Sequence, residues 1–404
     1  MKYIVLSITS LLLSYSCLAQ VWATLPKGVR AIGYRNVQTS EIKNNFNKFG
    51  SENPLGAQFR VDAGTFNEMI GNVIRPGQDI AQEAYDSLVV GEYKVDAGAN
   101  VKVHGFGFGY GLTDRVTLYG QMTYYEAHVK SRIKRTAGNT YAQTADLLDQ
   151  SGGLQNAFIS ENLRNMIDAN EGTIQSVITN HFGYKPIGNW HGKGLGDIEL
   201  GAMTKVIDKS SWGLMLYPGV TLPTGMEDDP DILQDIAFGD GQYDFFGELA
   251  TGYIFNDKFS VGTIFRYTYQ APMTKNLRVP TDQDFTLASE KEKFKVKYGD
   301  RLNLALTASY NLNDWIILTP TYRYMYQFGS KYDSLSGKGD EFLSYNTEKA
   351  EHQAQMTVTL SSITPFLKKK FLLPAQIHFN SVHVVAGKNV PKMSRFEVEF
   401  RMLF

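Results

Sequence analysis

The 404-residue chain has a single cysteine, Cys17, which excludes a disulfide scaffold and a cysteine-built zinc site. It has almost no net charge: 40 basic residues against 41 acidic ones leave −1, so no electrostatic footprint for nucleic acid is present. It also lacks any run of about 18 apolar residues, which excludes a transmembrane helix. Hydrophobic residues at 43% and charged residues at 20% exclude a chain too polar to bury a core. What is abundant is glycine (37) and Tyr and Phe (23 and 24), a composition that suits β-structure rich in aromatic positions.

The start of the chain sets its compartment. Met1-Lys2, the apolar stretch Tyr3 to Leu13 and the small-residue site Cys17-Leu18-Ala19 before Gln20 form the three parts of a secretory signal peptide, residues 1–19. A lipoprotein would keep Cys17, but Ser14-Tyr15-Ser16 supplies no aliphatic lipobox. Residues 20–404 are thus read as one exported domain, and only β-structure could place it in a membrane.

The end of the chain names that membrane. Phe396, Val398, Phe400, Met402 and Phe404 project to one face of a strand, while Glu397, Glu399 and Arg401 project to the other. Outer-membrane barrels present such a strand, ending in an aromatic residue, to the barrel-assembly machinery. Phe400, Met402 and Phe404 are the expected assembly signal, and the cell outer membrane is the expected location.

Three turns repeat one pattern: Leu112-Thr113-Asp114-Arg115-Val116, Phe255-Asn256-Asp257-Lys258-Phe259 and Leu312-Asn313-Asp314-Trp315-Ile316. Asp and Asn suit tight turns because their side chains bond the local backbone. The implied registers keep apolar and polar residues apart: Leu249 faces Phe265, Glu248 faces Arg266, Leu306 faces Tyr322 and Phe106 faces Met122. Strands are expected at about 28–39, 99–112, 116–129, 195–207, 212–223, 242–255, 259–271, 300–312, 316–327, 351–363, 374–386 and 393–404. The fold class is therefore all-β, a transmembrane antiparallel β-barrel of about twelve strands. Fourteen is the alternative if Gly56–Asp62 and Leu88–Asp96 add a hairpin.

By the same parity the lumen is lined by Asp197, Glu199, Lys205, Glu248, Arg266, Arg323, Arg395, Glu397, Glu399 and Arg401. Opposed charges can set a transverse field that orients a dipolar solute; the simpler alternative is that they pair and fill the barrel. Two long outer loops, about 40–98 and 130–194, exceed plain connections. In the second, Leu154, Phe158, Ile159, Leu163, Met166 and Ile167 recur at helical spacing. Of these, Leu154, Phe158, Leu163, Met166 and Ile167 are the candidate capture or gating residues. The first loop carries a shorter set, Phe66, Met69, Ile70 and Val73. Such helical segments would form a lid or partial plug.

Gly194-Leu195-Gly196-Asp197-Ile198-Glu199-Leu200-Gly201, Gly219-Val220-Thr221-Leu222-Pro223-Thr224-Gly225 and Gly239-Asp240-Gly241-Gln242-Tyr243-Asp244 follow one another in this order. The order resembles the MetA-pathway phenol-degradation family of outer-membrane proteins, which is distantly similar to the hydrophobic-compound channels of the FadL type. The resemblance implies diffusion of small organic, often aromatic, molecules across the outer membrane.

Catalysis and metal binding are poorly supported. In His378-Phe379-Asn380-Ser381-Val382-His383, Ser381 and His378 point to opposite faces, and His383 shares a face with Ser381 but has no evident orienting group. Glu227-Asp228-Asp229-Pro230-Asp231 with Asp235 lacks the spacing of a calcium loop and reads as a solvated acidic loop. No enzyme activity, cofactor or metal is expected. The expected partners are outer-membrane lipid and lipopolysaccharide, the barrel-assembly machinery and a small organic solute. The rival function is a barrel without transport whose outer loops bind a partner or surface ligand.

Overall fold

The computed structural model describes residues 22–65, 82–166, 168–283 and 287–404. The expected signal peptide, residues 1–19, and the set Phe66, Met69, Ile70 and Val73 lie outside the described residues, as does Ile167. Twelve antiparallel strands close on themselves. They are β1 (Arg30–Thr39), β2 (Val89–Thr113), β3 (Val116–Ala137), β4 (Ile198–Asp208), β5 (Trp212–Leu222), β6 (Asp244–Ile254), β7 (Phe259–Gln270), β8 (Arg301–Asn311), β9 (Ile316–Gln327), β10 (Lys349–Ser361), β11 (Ala375–Lys388) and β12 (Ser394–Leu403). Each pairs with its sequence neighbour, and β12 closes the wall on β1 with Tyr34 opposite Phe400. Closure leaves the wall no free edge, as a bilayer demands. No helix among the described residues is long and apolar enough to cross a membrane; the strands do so.

Side-chain alternation drives this fold. Phe108, Leu249, Phe265, Leu306 and Tyr322 point out and stay exposed, while Gly107, Glu248, Arg266 and Ala305 point in. The registers follow the expected pairs: Glu248 meets Arg266, Leu249 meets Phe265, Leu306 meets Tyr322 and Phe106 meets Met122. Two of the three short turns close on asparagine rather than on the central aspartate, and the third on Thr113, whose Oγ1 accepts from the Arg115 amide at 3.2 Å. Asn256 Oδ1 accepts from the Lys258 and Phe259 amides at 2.9 and 3.0 Å, and Asn313 Oδ1 from Trp315 and Ile316 at 2.8 and 3.0 Å. Asp314 instead pairs with Lys368 at 2.7 Å, so the lysine turn is anchored at one end.

Two boundaries differ from expectation. β2 and β3 run on to Val89 and Ala137, well beyond the membrane-crossing length. The strand Gln58–Asp62 pairs with this extension of β2, Gln58 opposite Lys94. The segments that could have made fourteen strands thus form a flap above the wall, and the barrel keeps twelve. Above the extension sit helices α1 (Gln82–Ser87), α2 (Tyr141–Ser151), α3 (Leu154–Asn165) and α4 (Glu171–Ser176). Their apolar sides pack with Tyr93, Ile133 and Phe182 into one cluster. The long loops therefore fold as a cap with its own core.

Candidate conduction pathway

The interior has three levels. At the short-turn end, the chain just before β1 turns into the barrel. Trp22 and Leu25 are each 1% exposed and pack among Met203, Met215, Tyr217 and Phe246. The segment is tied down by hydrogen bonds: the Leu25 amide donates to Thr117 Oγ1 at 2.8 Å, and the Lys27 amide to Asp114 Oδ1 at 2.9 Å. Two glycines make room for it. A Cβ on Gly213 would lie 2.1 Å from the Trp22 ring, and one on Gly111 would lie 2.0 Å from the Pro26 carbonyl oxygen.

The middle level is charged. On one wall Arg266 pairs with Glu199 at 2.6 Å, lies 3.9 Å from Glu248, and stacks its guanidinium 3.6 Å from the Phe246 ring centre. Tyr119 donates its hydroxyl to Glu199 at 3.1 Å. On the facing wall Glu397, fully buried, takes Arg35 and Arg395, the latter at 2.7 Å. Arg401 pairs with Glu399 beside it. Low surrounding polarity strengthens such pairs, and removing one member leaves a buried charge uncompensated.

The outer level is a mouth. The loop between β5 and β6 folds inward, where Phe238 stacks on Tyr125 with ring centres 5.1 Å apart and Ile236 is 1% exposed. Gly225 and Gly239 cross closely; a Cβ on either would lie 2.7 Å from the other's Cα. Asp197 fixes this crossing by accepting from the Gly225 amide at 2.8 Å. Beside it opens a cavity of about 280 Å³. Tyr298, Tyr332, Leu343 and Tyr345 form an apolar wall, and Asp240, Arg301 and Lys349 supply charge. Burial, then the nearby Asp244 carboxylate, push Asp240 up to about 7.

Arg278 binds the loops together. Buried to 3% exposure, it donates to the Phe182, Gly183, Ala288 and Pro230 carbonyls, pairs with Asp231 at 2.6 Å, and lies 3.7 Å from the Tyr184 ring centre. Asp231 also takes Lys291 at 2.6 Å, and Asp229 takes Lys185 at 2.8 Å. The acidic segment is therefore clamped by cations from other loops, where its sequence read as solvated.

The structure distributes the expected lumen residues unevenly. Glu199, Glu248, Arg266, Arg395, Glu397, Glu399 and Arg401 lie buried at the charged level. Arg323 lies on β9 opposite Gln353, and Gln353 accepts from Arg395 at 3.3 Å. Lys205 pairs with Asp208 at 3.0 Å toward the short-turn end, and Asp197 braces the inward loop. The candidate gating set is not brought together: Leu163 is in the cap core, whereas Leu154 and Phe158 are 93% and 68% exposed and Met166 follows α3. Three elements escaped the sequence reading. Arg35 was visible by parity, since Ala31 and Val37 share its face; the inward turn of Trp22 and the inward loop left no periodic signal. His383 also gains an orienter, with Nδ1 2.8 Å from Ser394 Oγ and Nε2 3.0 Å from Ser381 Oγ.

Residues 88–347 match the family described as the MetA pathway of phenol degradation. The chain belongs to this family. Its fold is similar to an outer-membrane channel from Pseudomonas putida F1, with 14% identity, a TM-score of 0.52, and coverage of 95% of this chain and 98% of that one. The Ralstonia pickettii toluene transporter matches at 11% identity and a TM-score of 0.33, covering 95% of this chain and 92% of that one. A monoaromatic hydrocarbon channel, CymD, matches at 10% and 0.31, covering 94% of this chain and 88% of that one. Among curated proteins none matches the sequence. The family member is thus an outer-membrane β-barrel in fold.

Proposed function

We propose that this barrel is an outer-membrane channel for small organic molecules, aromatic ones foremost. The mouth cavity carries the reading. Its tyrosines offer ring faces on one side, and Arg301, Lys349 and Asp240 offer charge on the other. A volume of about 280 Å³ suits a one-ring solute, with the apolar body and polar tip that such pockets sort. The charged middle level then passes or orients it by size and field. The lumen-lining roles of Arg323 and the paired arginines belong to this proposal. So does recognition of Phe400, Met402 and Phe404 by the barrel-assembly machinery.

The protein acts without covalent catalysis in this reading. Ser381, His383 and Ser394 form a hydrogen-bonded row on the outer wall, but a nucleophile also needs donors aimed at a developing oxyanion. The sheet amides beside them are engaged in the ladders. Proteoliposomes should take up phenol or benzoate faster than a sugar of similar mass, and Ser381→Ala should leave uptake unchanged. Equal exclusion of all these solutes would overturn the channel reading.

One observation favours the rival reading, a loop receptor: Leu154 and Phe158 stand exposed on α3. Leu154→Asp with Phe158→Asp separates the two. A channel keeps its flux, whereas a receptor loses its partner.

A further inference from the structure

The outer surface of β2 and β3 changes character along its length. Near the turn it presents Leu118, Met122, Phe106 and Phe108 to lipid. A polar-tipped ring level follows, where the Tyr34 hydroxyl lies 2.7 Å from His104 Nδ1 and Tyr124 stands opposite His104. Beyond this the outward positions turn basic: Lys102, then Lys130, Arg132 and Lys134, with Lys193 on the adjoining strand Trp190–Leu195. His128 and His191 stack between them with ring centres 4.0 Å apart.

Carboxylates on this face are few. Glu126 lies opposite both Lys102 and Lys193, Glu41 pairs with Lys43, and Asp96 takes Lys94 and Lys134 at 3.2 and 2.6 Å. Among the described residues, none of Lys102, Lys130, Arg132 and Lys193 has a carboxylate in ion-pair contact. The upper three cations also line a groove of about 530 Å³, bounded by Lys43, Gly56 and Asn189. It needs Gly56 there, because a Cβ would strike the Val95 carbonyl oxygen at 1.5 Å.

Height decides what can occupy this face. A strand rising about 3.3 Å per residue at about 40° tilt places Lys102 and Lys193 roughly 5 Å above Tyr124. The same arithmetic puts Lys130 to Lys134 roughly 15–25 Å above it. The lower pair is thus level with a lipid headgroup, the groove with the sugars attached to one. Guanidinium and ammonium groups in such a cluster bind phosphate oxygens by charge-assisted hydrogen bonds.

We propose that this face binds the phosphorylated glycolipid of the outer leaflet. Lys102 and Lys193 take the phosphates of its lipid anchor, and the Lys130–Arg132–Lys134 groove takes phosphates on its inner sugars. Charge complementarity and direct continuity with the lipid-facing belt argue for this occupant. The inference rests on the outer-membrane placement and is independent of the solute.

The test uses full-length protein purified in detergent. Binding of lipopolysaccharide carrying phosphorylated inner-core sugars is compared with the same material after dephosphorylation. Wild-type protein should prefer the phosphorylated form at least tenfold, and Lys130→Gln/Arg132→Gln/Lys134→Gln should lose most of that preference. Lys102→Gln/Lys193→Gln should instead weaken binding of sugar-free lipid A. Millimolar inorganic phosphate should compete poorly; full competition would mark a free-phosphate site and overturn the glycolipid. Unchanged preference in the triple variant, or unchanged lipid A binding in the double variant, would also overturn it. Heat-modifiable gel migration and fractionation with the outer membrane report separately on the placement beneath the inference, so failure there is distinguishable.

Discussion

The ring of Trp22 occupies the space that a side chain on Gly213 would need, with 2.1 Å between the ring and the position of a Cβ. A strand glycine without a turn to make is here a seat for the segment that precedes β1. Gly213→Val should unseat the indole, and deletion of residues 20–27 should remove the segment. Both changes should raise single-channel conductance in planar bilayers severalfold. Unaltered conductance in the deletion would show that the segment does not obstruct the lumen.

The Arg266 cluster sets a stability prediction. Arg266→Ala leaves Glu199 and Glu248 buried without their cation. Breaking a buried pair in this way costs about 3–5 kcal/mol. Urea unfolding of the reconstituted barrel should show that loss, and Arg266→Met with Glu199→Gln and Glu248→Gln should recover most of it.

Mouth capture should depend on pH through Asp240, held up at about 7 by burial and by Asp244. Its ordinary value is near 3.8, so the folded protein holds this proton more tightly than the unfolded chain. The stabilisation from that proton is full below the ordinary value and is lost as pH rises through about 7. For a solute anion such as benzoate, the cavity is more welcoming below pH 7, where Asp240 is neutral beside Arg301 and Lys349. Benzoate affinity should fall severalfold between pH 6 and pH 8, and Asp240→Asn should make that fall smaller. Titration calorimetry at the two pH values checks it.

The turn asparagines give a local prediction. Asn256 and Asn313 each accept two backbone amides, so alanine at either position should cost about 1 kcal/mol. Asp257→Ala, whose side chain takes no part in these bonds, should cost less. Thermal melts of the three variants rank the effects.

Much of this architecture is legible in the sequence because two-residue sidedness leaves a mark in every membrane-crossing strand. Leu249 and Phe265, or Leu306 and Tyr322, locate both register and face. The charged level follows from the same parity, which put Glu248 against Arg266. The interior fillers obey no such period. Trp22 enters as irregular chain, and Phe238 reaches Tyr125 through a loop whose glycines meet only in three dimensions. Leu154 and Phe158 share helical spacing with Leu163, yet only Leu163 meets the cap core. Spacing shows which residues share a side of a helix, and not which neighbour covers that side.

Arg278 gives the outer loops a mechanical property. Its guanidinium is hydrogen-bonded to three separate stretches of chain, around Phe182, Asp231 and Ala288. Those stretches are keyed like stones in an arch. Admission of a guest therefore requires the whole vault to tilt on its strand supports, or the guest to slip past without moving it.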